Sequence, residues 1–189
     1  MFATLENINK PGLPGRGCRE GFSLTELTVA VALFALMAGG LVYSLMRAKS
    51  LSWTSRERAL AMEAAQSVME RVRGAAFDQA FSLYNANPLD DPPGVLAPGS
   101  DFAVPGLTVQ LGDPDGFVGE VLFPGDGLTL LENVQDRDWG MPRDLDLDTQ
   151  IEAVGYSADY QVLPVRVRVS WRGPAGDQQV ELTSVLVEG

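Results

Sequence analysis

Histidine is absent from the 189 residues, and cysteine occurs once, at Cys18. The first absence removes the commonest general base and the commonest metal ligand, so histidine-based catalytic triads and histidine zinc sites are excluded. With a single cysteine no intramolecular disulfide can form, whatever the compartment. Gly15-Arg16-Gly17 ahead of Cys18 is not the apolar lead-in of a lipidated cysteine. Basic residues are scarce in one long stretch. From Asn85 to Tyr160 there are 15 Asp or Glu against Arg137 and Arg143 alone, within a formal charge of −11. That region disfavours nucleic acid or an anionic membrane surface as its partner. Proline is missing between Pro14 and Pro88, which leaves the interval open to unbroken helix.

What is present is unevenly spread. Phe22 to Met46 is a run of 25 residues in which Glu26 is the only charge. As an α-helix it would be about 37 Å long, enough to cross a bilayer core of about 30 Å. It is longer than the roughly 7–15-residue apolar core of a secretory signal. Residues 1–21 carry Lys10, Arg16 and Arg19 among glycines and prolines and have no apolar core, so the hydrophobic run follows the polar leader rather than preceding a cut. Beyond the run, Ala61, Ala65, Val68, Val72 and Ala76 recur at spacings of three and four, with Arg56, Arg58, Glu63, Glu70, Arg71 and Arg73 on the polar faces. This periodicity predicts an amphipathic helix. We expect one helix from about Ser23 to about Phe81, with Gly39-Gly40 as a site of kinking or of close helix packing.

After Tyr84 the texture changes. Turn signals crowd the chain, among them Asp91-Pro92-Pro93-Gly94, Asp113-Pro114-Asp115-Gly116 and Pro124-Gly125-Asp126-Gly127,. Between them lie four extended candidates: 102–104, 107–111, 117–123 and 128–131. Val165, Val167, Val169 and Trp171 alternate with Arg166, Arg168 and Ser170, Gly173-Pro174-Ala175-Gly176-Asp177 turns the chain, and 179–187 alternates again. That is a β-hairpin. The expected fold is α+β: a long N-terminal helix, membrane-spanning over 22–46 and amphipathic over 47–84, packed on a small antiparallel sheet within an acidic β-rich domain of 85–189.

Gly21-Phe22-Ser23-Leu24-Thr25-Glu26-Leu27, entering an apolar helix, resembles the processing signal of type IV prepilins and type II secretion pseudopilins. The resemblance implies a leader of residues 1–21, cleavage by a prepilin peptidase between Gly21 and Phe22, and N-methylation of Phe22. It implies that Glu26, costly in an apolar helix, pairs in assembly with the α-amino group of a neighbouring subunit. The partners it implies are other pilin or pseudopilin subunits, an inner-membrane assembly platform and membrane lipid. The implied location is the bacterial inner membrane, single-pass with the C-terminal domain extracytoplasmic, and then the filament. The Val/Arg strand with Trp171, and the lack of cysteine after Gly21, are similar to minor rather than disulfide-looped major subunits. Lys and Arg on the two sides of the apolar run do not decide its orientation.

Asp144, Asp146 and Asp148 alternate as calcium-loop ligands do, and the resemblance to pseudopilins, whose major subunits bind calcium, makes Ca²⁺ the one cofactor the loop would take; a solvated acidic loop with no cofactor is the alternative. Carboxylate pairs also serve glycoside hydrolysis, but no nucleophile context accompanies them, and a non-enzymatic role is expected. A single-pass membrane-anchored extracytoplasmic binding or sensor domain is the rival reading, under which Gly21 and Glu26 are dispensable.

Overall fold

The computed structural model describes residues 21, 23–155 and 159–189. Nearly all of the expected leader, together with Phe22, lies outside them. Helix α1 runs Leu24–Gly74, hydrogen-bonded through Gly39-Gly40 without interruption. The chain divides into two units, Met1–Leu45 and Met46–Gly189.

In the first unit the described helical residues are exposed apart from half-buried Ala38. The second is the α+β domain. Helix α1 does not continue to Phe81: it stops at Gly74, the Ala75 amide reaches back to both Arg71 and Val72 carbonyls, and Ala76 is extended with ψ 134°. Glycine is a poor helix former, and the break re-aims the chain so that a separate helix α2, Phe77–Tyr84, buries Ala80, Phe81 and Tyr84. Ala76, expected on the buried stripe, is exposed in the joint. The Tyr160 hydroxyl ties α2 down, donating to the Phe77 carbonyl at 2.7 Å and accepting from the Phe81 amide at 3.3 Å. The Phe81 ring meets Phe123 edge-on at 5.1 Å.

Four antiparallel strands lie in chain order: β1 Asp101–Phe102, β2 Gly119–Leu122, β3 Val162–Gly173 and β4 Gly176–Val187. The hairpin is as expected, with Gly173 opposite Gly176 across Pro174-Ala175. The side-chain period of two puts Leu163, Val165, Val167, Val169 and Trp171 on one face, all 1% exposed or less. They form one core with Ala61, Ala65, Val68, Met69 and Val72 of α1. Alanines on the helix bring it close to a β-branched sheet surface, and the Trp171 indole donates to Glu57 Oε2 at 3.2 Å.

The middle of the chain holds less strand than expected. Residues 107–111 form none; Leu107 and Val109 pack on the core while the Thr108 carbonyl takes the Arg172 amide. Residues 128–131 contribute only a bridge between Gly125 and Leu130. Here aspartates compete with the ladder. Asp113, Asp115, Asp126, Asp136, Asp144, Asp146 and Asp148 each accept a backbone amide two to five residues on. Such local side-chain bonds favour turns over strands. Much of the acidity is therefore loop architecture.

Candidate membrane segment and acidic loop

The exposed start of α1 is the first candidate site. Leu24, Phe34, Leu36, Met37, Leu41 and Met46 are each 66–79% exposed. Apolar side chains held out in this way are the mark of a surface made for lipid or for other protein, and α1 is long and apolar enough to cross a membrane. Gly21 is exposed, and a Cβ added there would meet no described residue within 4 Å; Phe22, the expected methylated residue, lies outside the described residues. Glu26 sits exposed in the first turn of α1, where the helix dipole favours an acid. The turn is closed by the Leu27 amide on the Ser23 carbonyl at 3.0 Å.

The second candidate is the loop after the 3₁₀ turn Arg137–Trp139. Among the described residues the carboxylates that converge are Glu132, Asp144 and Asp146, one oxygen of each within 4.8 Å of the others. Asp148 is outside this group, turned to the Gln150 amide at 2.7 Å. The member that alternation did not reveal is Glu132, which is fully buried. Its oxygens accept the Leu145 amide at 2.6 Å and the Glu152 amide at 2.9 Å. Those of Asp144 accept Leu147 and Thr149 amides at 2.6 and 2.7 Å. Leu145 is buried, whereas Leu147 is exposed at a left-handed φ of 63°. Each of these four oxygens thus has a backbone donor, the arrangement of a loop braced by its own acids. At Asp146 the Asp148 amide favours the carboxylate. Burial, the charges of Asp148 and Glu132, and a hydrogen bond with Asp144 outweigh it and push the pKa up.

The outer face of the sheet carries a third cluster. Arg166, 7% exposed, lies between Asp136 at 2.9 Å and Glu181 at 3.7 Å, with its guanidinium 4.5 Å from the Trp139 ring centroid. Arg168 bridges Glu120 at 2.9 Å and Glu181 at 2.7 Å. The cross-strand register sets this ladder, since Arg168 pairs with both Glu120 and Glu181,. The Arg166 hydrogen bond is the main cause that holds the Asp136 carboxyl below its usual value, against its partial burial and with help from the Trp139 amide. A groove of about 380 Å³ nearby is lined in part by Asn85, Asp101, Glu120 and Asp126. Of these, Glu120 is committed to Arg168 and Asp126 to the Leu128 and Thr129 amides.

Comparison with family models, with curated proteins and with solved structures finds no match for this chain.

Proposed function

We propose that the chain is a minor pilin or pseudopilin subunit that acts by polymerisation. A prepilin peptidase cleaves it after Gly21, Phe22 is N-methylated, and the helix beginning there joins other subunits in a type IV pilus or a type II secretion pseudopilus. The observation that carries this reading is the start of α1: exposed apolar side chains through Met46 with Glu26 as the one charge, five residues after an exposed Gly21. A lone acid in such a surface is costly unless it meets a cation. The α-amino group released by the cut is a cation of matching position, supplied by a neighbouring subunit. The bacterial inner membrane, with its assembly platform, is the site of loading, and the β-domain stands outside it.

Intact-mass and N-terminal analysis of membrane-extracted protein, with and without a prepilin peptidase, tests the reading. The expected product begins at N-methylated Phe22 only when the peptidase is present, and Glu26→Ala is processed but fails to enter filaments. A chain that stays uncleaved beside an active peptidase, and tolerates Glu26→Ala, is instead an anchored binding or sensor domain.

A further inference from the structure

Lys49, Arg56, Glu63 and Glu70 follow one another along α1 at intervals of seven residues. All four are exposed. At about 100° per residue they fall on the side away from the buried Ala61, Ala65, Val68 and Val72 stripe. Seven residues drift by only about 20° against an ideal helix, so the line stays on one face. The intervening positions on this side, Ser52, Ala59 and Gln66, are also exposed. Among the described residues Lys49, Arg56 and Glu63 make no ion pair, and Glu70 has only an exposed contact with Arg73 at 3.1 Å. The line is basic in its first half and acidic in its second.

We propose that this face is a docking seam for a second copy of the chain, parallel and displaced along the helix axis by two heptads, a different neighbour from the one whose α-amino group meets Glu26 at an offset of about four residues. Lys49 and Arg56 of one copy then meet Glu63 and Glu70 of the other. The inference rests on the filament reading for its parallel orientation. Two chains anchored in one membrane from the same side must run the same way, because the apolar run precedes the seam in the same helix. In register, all four positions oppose their own charge. A shift of one heptad gives one attractive and two repulsive pairs. A shift of two heptads, about 21 Å, gives two attractive pairs and none repulsive; a third heptad leaves one. An antiparallel pair would also match the charges, but it sends the apolar runs to opposite ends. Exposed ion pairs contribute little affinity and much discrimination between alternatives, so the seam sets register while the apolar run supplies adhesion.

Reporter cysteines between the charges test this in the full-length chain with Cys18→Ser, in membranes of cells that carry a prepilin peptidase. Two differently tagged copies, one Ser52→Cys and one Gln66→Cys, are expected to cross-link on oxidation. Two copies of Ala59→Cys are not, because the stagger holds them about 21 Å apart. Lys49→Glu with Arg56→Glu in both copies should lower the Ser52/Gln66 product at least ten-fold. Adding Glu63→Lys and Glu70→Lys to the same chains should restore it. Cross-linking through Ala59, loss of the Ser52/Gln66 product, or insensitivity to charge reversal overturns the seam. Maturation is scored by mass in the same samples. Processed chains without the Ser52/Gln66 product sink the seam and leave the filament reading intact. Unprocessed chains sink the filament reading, and their cross-link pattern still judges the seam.

Discussion

Replacing Glu132 by alanine separates an acid that braces a loop from one that serves an ion. Its two oxygens hold the Leu145 and Glu152 amides at 2.6 and 2.9 Å in a fully buried position. Each buried donor left without a partner costs about 1–3 kcal/mol. The Leu145 side takes the upper part of that range, because Leu145 is itself 0% exposed; the Glu152 side, partly open to water, takes the lower. Removing the Glu132 charge also relieves Asp146, whose pKa it helps to raise, which returns a small part. The net expectation is a loss of about 2–4 kcal/mol, a large fraction of a domain's stability. Urea unfolding of the detergent-solubilised chain, followed by tryptophan fluorescence, measures it, with and without calcium or a chelator. Glu132→Gln, which keeps one acceptor and turns a donor towards the other amide, should fall between wild type and alanine. Asp148→Ala, on an exposed turn, should cost less than about 0.5 kcal/mol. A loss for Glu132→Ala no larger than for Asp148→Ala would refute the brace. So would a loss that appears only when calcium is present.

Acid titration tests the outer face of the sheet. A carboxyl held low by folding contributes stability that is complete above its unfolded value, near 3.9, and is lost as pH falls through the folded value. Asp136, held low chiefly by Arg166, is of this kind, so the stability gap between wild type and Arg166→Leu should narrow on titration from pH 5 to pH 2. A gap independent of pH would contradict the pairing. Asp146 has the opposite sign: burial and the neighbouring acids raise its pKa on folding, so its charge weighs against the folded state and protonation relieves it,. Gly119 lies beneath the Phe102 ring, where an added Cβ would strike ring carbons. Gly119→Ala should therefore cost about 1–3 kcal/mol, and Phe102→Ala in the same chain should recover part of it. Thermal unfolding midpoints of the single and double variants decide this.

The parts of this fold that were legible in the sequence are those in which one period runs long enough to register. The α1 stripe spans several turns, and the alternation within β3 runs from Val165 to Trp171. The break at Gly74 was not legible, because Ala75 and Ala76 are good helix formers and a single glycine ends the helix there only together with the packing of Phe77 and Phe81 on the core,. Residues 107–111 and 128–131 carry strand-like side chains. At 128–131 Asp126 spends the Leu128 and Thr129 amides on a turn. At 107–111 the chain turns at both ends, Leu107 amide to Val104 carbonyl and Asp113 amide to Gln110 carbonyl, so tertiary context outweighs propensity,. At the acidic loop, alternation pointed to Asp144, Asp146 and Asp148. The convergent third carboxylate comes instead from Glu132, twelve residues upstream of Asp144, a juxtaposition that no local pattern encodes. The one visible hint was a single acid after the apolar run Leu128–Leu131, read as strand.

The bond between Trp171 and Glu57 spans 114 residues of sequence, and that between Arg73 and Ser184 spans 111. The loop bonds of the aspartates span two to five. The domain is thus assembled on two clocks. Its turns form as soon as their few residues are available, while its core waits for the final hairpin, since sequence-distant contacts are slow to close. Until β3 and β4 arrive, the Ala61–Val72 stripe has no valine surface to cover it. A chain cut short anywhere before β3 therefore leaves the Ala61–Val72 stripe as a bare apolar helix face, the kind of surface that leads to aggregation and that chaperones cover.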